Sequence, residues 1–284
     1  MSTGFDPLTE LVLPADTEVQ ERDLVTEGDV FIGGQSTIDF GVRGRNVVAG
    51  ERVRFDGDIE ASGDCRLDIW CEVSGNVLVG ENAYLGERVH IDGRLVVSGD
   101  LDIGDDVQIA EGFEANGWIV IRNPMPTIVF LFIYLGQLLR LGEEEAAEAV
   151  MDEFLDEEVD DATPLCIPRG AELTDSRWQV GTPARIGARC RLHGNLRASS
   201  IEVDEECDIF GSLRSREDIQ IEEQSRVHGD VTTRSGNVTL GEAVEVLGDV
   251  ACVDLTLGKR ASVAGSIRAS GEVRMVGPAR EPEP

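Results

Sequence analysis

Glycines recur every 18 residues at Gly57, Gly75 and Gly93, and each sits in the same pattern of neighbours. Laid over one another, the segments DIEASGDCRLDIWCEVSG and NVLVGENAYLGERVHIDG bring their apolar side chains into columns. Two residues after each glycine stand Ile59, Val77 and Leu95, two before stand Phe55, Val73 and Ile91, and four before stand Val53, Cys71 and Val89. Alternation with a period of two marks strands, because successive side chains in a strand point to opposite faces. Recurrence at a fixed longer period means that the strands stack, each turn of chain lying on the one before, as in a β-solenoid.

The rule returns at Gly194, Gly211, Gly229, Gly248 and Gly265. Leu196, Leu213, Val231, Val250 and Ile267 follow these glycines by two residues, and Leu192, Ile209, Val227, Val246 and Val263 precede them by two. Every one is aliphatic. Between the two regions the pattern breaks at Asn123-Pro-Met-Pro126, and the chain reads TIVFLFIYLGQLLRLG and then EEEAAEAVMDEFLDEEVDD. The first stretch is apolar nearly all round and the second is apolar at helical spacing, so a helical hairpin is expected. At about 15 apolar residues, interrupted by Gln137 and Arg140, the first helix is short of the ~20 needed to span a bilayer. It is expected to cover a solenoid face or end, with Phe130, Phe132, Tyr134, Leu138 and Leu139 as the candidates for docking a partner or a membrane surface.

The expected organisation is therefore an arm at 1–18, a first β-helix block at 19–122, a helical linker at 123–162, a second block at 163–277 and a disordered tail at 278–284. The expected fold class is all-β, two right-handed parallel β-helix blocks joined by a helical hairpin.

Charge narrows the function. The 284 residues carry a formal charge of −30, with 55 acidic residues against 25 basic ones, and Lys259 is the one lysine. Dispersed acids with arginine in place of lysine suit a cytoplasm of molar salt, where the Debye length falls to about 3 Å and self-repulsion is screened. A halophilic source follows as an expectation. No basic stripe is present to displace counterions from phosphates, which argues against nucleic acid as a partner. The N-terminus lacks a basic stretch followed by an apolar one, so no signal peptide is read and a cytoplasmic location is expected.

The cysteines follow the columns. Cys71, Cys190 and Cys207 lie in the column of Val53, Val89 and Val244, and Cys252 in that of Ala61 and Val79, which is the behaviour of small apolar residues rather than of a disulfide or metal framework. His90, His193 and His228 fall between inward-facing aliphatics and so should face solvent. The glycines keep the coil period and match neither GxGxxG nor GxxxxGK[ST] spacing, so no nucleotide loop is read. No catalytic, cofactor or metal residues are assigned.

Leu255–Ala269 (LTLGKRASVAGSIRA), Val238–Val250 (VTLGEAVEVLGDV) and Val77–Gly93 (VLVGENAYLGERVHIDG) resemble the repeats of the bactofilins, polymer-forming cytoskeletal proteins built on a β-helix. The resemblance covers both blocks, and with the halophilic composition it is nearest to the archaeal halofilin type. Typical bactofilins have one β-helix between disordered tails, whereas two are read here. The resemblance implies a non-enzymatic protein that associates with itself and contributes to cell-shape control, with another cell-shape protein or the inner membrane surface as further partners. The competing classes are a hexapeptide-repeat acyltransferase, whose chemistry usually needs a catalytic histidine, and a monomeric binding scaffold. Within the self-associating class, Val273 and Met275 on the last strand are the expected contact residues, because no amphipathic segment follows to cover them. The other end is expected to be covered by the arm, through Phe5, Leu8, Leu11, Val12 and Leu13.

Overall fold

In the computed structural model, residues 9–20, 23–121 and 163–275 are described. Among them the protein is all-β, with strands of two to four residues and no helix. The strands form three sheets of 14, 12 and 12 strands, the walls of a β-solenoid of about 12 turns. At ~4.8 Å per stacked strand the fourteen-stranded wall is about 60 Å long. The helical hairpin expected at 123–162 lies outside the described residues.

Each strand buries alternate side chains, as the columns require. Ile59, Val77 and Leu95 are Cα partners on consecutive coils, and all three are fully buried. Val231 and Val250 pair in the same way in the second half and are equally buried. A single apolar core runs through both halves. The repeat glycines are required by the closeness of stacked backbone. A Cβ on Gly75 would lie 2.3 Å from Asp58 Oδ1 and 2.6 Å from the carbonyl of Gly57 directly beneath it.

One corner of the coil is a left-handed residue, Arg52, Trp70 and Arg88 on successive turns with φ of 56°, 60° and 58°. L-residues enter this region at a cost of roughly 1 kcal/mol each. The three side chains stack outside the corner, the Arg52 and Arg88 guanidinium carbons lying 4.2 Å and 5.7 Å from the Trp70 ring centroid.

The two regions of repeat are not two separate β-helices. Every sheet passes from one into the other, and in each the strand pairing is parallel except at one place, where it turns antiparallel. Those places are Leu11–Leu13 with Leu165–Ile167, Glu18–Gln20 with Asp23–Val25, and Glu172–Leu173 with Arg177–Gln179. The halves therefore meet at their first coils and run away from each other.

The chain crosses this junction twice. Leu11–Leu13 stacks in parallel on Ala184–Ile186 of the second half, and the hairpin after Glu18–Gln20 carries the chain into the first half. Leu165–Ile167 stacks on Val30–Ile32 of the first half, and the hairpin after Glu172–Leu173 returns the chain to the second. Each half has thus handed its first two strands to the other. Leu11–Leu13, read from the sequence as part of an arm that covers an end, lies in the middle of the core, with Leu11 fully buried.

The exchange is symmetric because the halves are repeats of each other. Strands Leu11–Leu13, Val30–Ile32, Phe113–Ala115 and Ile119–Ile121 have counterparts Leu165–Ile167, Ala184–Ile186, Ile267–Ala269 and Val273–Met275, each 154 residues on. The signal is visible in LVLPADTEV at Leu11–Val19 against LCIPRGAEL at Leu165–Leu173. It escapes a reading built on glycine spacing, since the first of these segments has no glycine.

Candidate self-association surfaces

A parallel stack of strands leaves unpaired N–H and C=O groups on its terminal coils. At the junction these groups are consumed by the antiparallel pairs, so among the described residues both free ends of the solenoid are last coils. One is built from Gln108–Ile109, Phe113–Ala115 and Ile119–Ile121, the other from Ser262–Val263, Ile267–Ala269 and Val273–Met275.

Most of the large exposed apolar side chains gather there. At the second half's end Ile267, Val273 and Met275 are 41%, 52% and 77% exposed, and at the first half's end Phe113, Trp118 and Ile119 are 44%, 81% and 46% exposed. Val273 and Met275 pair with Leu255 and Leu257, which are buried. They occupy inward columns for which no further described coil supplies a floor. Ile119 stands in the same relation to the buried Leu101. The sequence singles out Val273 and Met275 and misses Phe113, Trp118 and Ile119. It expects the amino-terminal end of the first half to be an outer end covered by the arm, whereas the structure places that end at the junction.

The ends differ in their polar fittings. Along a corner of the first half, side-chain oxygens accept from the backbone of the next coil: Asn46 Oδ1 from Asp64 N at 2.7 Å, Asp64 Oδ1 from Asn82 N at 2.8 Å, Asn82 Oδ1 from Asp100 N at 2.9 Å and Asp100 Oδ1 from Trp118 N at 2.7 Å. Trp118 has no side-chain oxygen with which to continue the series. The matching ladder of the second half runs from Asp218 through Asn237 and Asp254 to the amide of Glu272. Its last residue does carry oxygens, one of which accepts from Arg274 at 2.6 Å. The Asp/Asn column was legible in the 18-residue spacing but carries no weight in a reading based on apolar residues alone.

Other candidates for chemistry are accounted for. All six cysteines are free and buried. Several are more than apolar filler, since Cys71, Cys190 and Cys207 donate at 3.1 Å to the carbonyls of Gly50, Pro14 and Gly187. Burial pushes the Cys65, Cys71 and Cys166 thiols up to about 12, which keeps them protonated. The three histidines lie on the outside of the coils; His90 meets Asp92 at 2.9 Å and His228 meets Asp208 at 2.8 Å, and His193 and His228 stack on either face of Phe210. Among the described residues no cluster of three His, Cys, Asp or Glu is placed to hold a metal ion. Phe130, Phe132, Tyr134, Leu138 and Leu139 lie outside the described residues.

Compared with protein-family models, curated proteins and solved structures, the chain matches none.

Proposed function

We propose that this is a non-enzymatic structural protein that associates with itself through the last coils at the two ends of its solenoid. The observation that carries this reading is the pair of exposed apolar terminal coils, at Phe113 and Ile119 and at Ile267, Val273 and Met275. An apolar cross-section rimmed by unpaired backbone groups gains by docking a second such surface. Since both ends are last coils, two copies meet end to end in an isologous, antiparallel contact of the kind the chain already makes within itself. Repetition of such contacts gives a rod without polarity. The resemblance of the repeats to the bactofilins extends the reading to a cytoplasmic polymer that contributes to cell shape, with another cell-shape protein or the inner membrane surface as further partners.

Sedimentation at molar salt tests it with Met275→Arg, Ile119→Arg and the double variant. Each charge is set at an open end and leaves the interior coils untouched. The wild type is expected to form long assemblies, each single variant to stop at dimers and the double variant to remain a monomer. A wild-type protein that stays monomeric over a wide concentration range overturns the proposal in favour of a monomeric scaffold.

A further inference from the structure

The two halves repeat each other in backbone but not in the outward face of the fourteen-stranded sheet. In the second half the outward residues are Arg185, Glu202, Gln220, Thr239, Thr256 and Arg274, all polar and all exposed but the half-buried Thr256. In the first half and at the junction they are Val12, Cys166, Phe31, Val48, Arg66, Tyr84, Asp102 and Val120, of which Val12 and Cys166 are buried and the rest half-buried. Val12 and Cys166 are 4% and 0% exposed, though both point away from the core occupied by Leu11, Leu13, Leu165 and Ile167. On the same face Asp102 Oδ1 is shut off from solvent and has no hydrogen-bond partner among the described residues. An outward face whose apolar residues Val12, Cys166, Phe31 and Val48 are buried or half-buried, where the other half presents exposed polar ones, is a face that something covers.

Chain connectivity names the occupant. The chain leaves this sheet at Ile119–Ile121 and rejoins the same sheet at Leu165–Ile167, six strand positions away. That distance is about 29 Å at ~4.8 Å per strand, well within reach of the residues between. The path starts and finishes on the covered half, and the segment that makes it contains the apolar run 127–141. A second copy is less well matched, since nothing ties it to this half, whereas the connection begins and ends there.

We infer that the outward face of the fourteen-stranded sheet in the first half, centred on Val12, Cys166, Phe31 and Val48, is the docking site for the chain's own apolar segment 127–141. This leaves the segment's apolar side chains satisfied within the molecule, and it explains why only one of the two repeats has an apolar flank. It is independent of the end-to-end contact.

Cys166 is the reporter, because among the six cysteines it is the one on an outward-facing position of a strand. In the full-length protein, Leu138→Glu with Leu139→Glu changes the segment and no residue of the solenoid. A maleimide is expected to label Cys166 slowly in the wild type and about tenfold faster in this variant, with an unchanged melting temperature and the other cysteines still protected. In a second variant, Phe31→Glu with Val48→Glu, chymotrypsin is expected to cut at Phe130, Phe132 and Tyr134 about tenfold faster than in the wild type. The counterpart changes Arg185→Glu and Glu202→Lys leave that cleavage unaltered. Equal labelling of Cys166 in wild type and the Leu138/Leu139 variant overturns the assignment. So does labelling that slows as protein concentration rises, which puts a second copy on the face. Protection of the segment only on adding anionic phospholipid vesicles also overturns it, by placing the segment at a lipid surface.

Discussion

Val12 and Cys166 are Cα partners in the one antiparallel pair of the fourteen-stranded sheet, and they stand at the same position of the two repeats. Around that pair each half completes the other's first coil with strands of its own. The junction is therefore built like the interface of a strand-exchanged dimer, within one chain.

It follows that the linker is not what holds the halves together. A specific protease site placed between residues 143 and 160 and then cut should leave one particle in gel filtration, melting in one transition. Separation of the fragments under native conditions would show that the exchanged strands contribute less than their burial implies.

Val77→Asp and Val231→Asp place a carboxylate in the fully buried core column. An unpaired charge there costs at least ~3 kcal/mol, so each variant should lose the cooperative thermal transition of its half or melt far below the wild type. Wild-type melting of either would refute the inward register.

Asp29 is 7% exposed and accepts from Arg45 Nε at 2.9 Å, Arg45 Nη2 at 3.0 Å and Asn46 Nδ2 at 3.0 Å. Asp29→Ala strands these donors close to the junction and should cost roughly 2–3 kcal/mol in denaturant unfolding. Asp100→Ala, which removes an acceptor for the exposed terminal coil, should cost about 1 kcal/mol or less. Equal losses would mean that the ladder is no stronger at the junction than at the open end.

Asp39 has its carboxyl pushed above the usual aspartate range by burial and then by Asp56, Asp175 and Glu172. A carboxyl whose folded pKa exceeds its unfolded value penalises the fold once ionised. The penalty grows as pH rises through the interval from the unfolded to the folded pKa, and it is absent below both. Asp39→Asn should therefore raise the melting temperature at pH 7 and have no such effect near pH ~3, where the wild-type carboxyl is already neutral. Molar salt should shrink the neutral-pH gain by screening the three acidic neighbours. A gain that is the same at both pH values would assign it to something other than charge.

With 55 acidic residues in the chain, lowering the salt from molar to ~0.1 M lengthens the screening distance from about 3 Å to about 10 Å and should lower the melting temperature. A melting temperature that does not change across this range would remove the basis for a high-salt origin.

Much of this molecule was legible in one dimension. Strand stacking is local and periodic, so the columns through Val77 and Val231 specify the coil, its inward face and its need for glycine without any knowledge of distant contacts. The same columns place Val273 and Met275 inward on the last strand, and their exposure follows from there being no described coil beyond them. Neither the direction of the two stacks nor the exchange of their first strands is written in the period, because a repeat is the same read against a partner running either way. Antiparallel pairing of Val12 with Cys166 depends on which edges meet in space, and so does the burial of an outward-facing cysteine. The sequence by itself determined what each coil is, through side-chain alternation and spacing. Only the tertiary structure decided which coils are terminal, because an edge is consumed or left open by contacts between residues more than 150 positions apart, such as Val12 and Cys166.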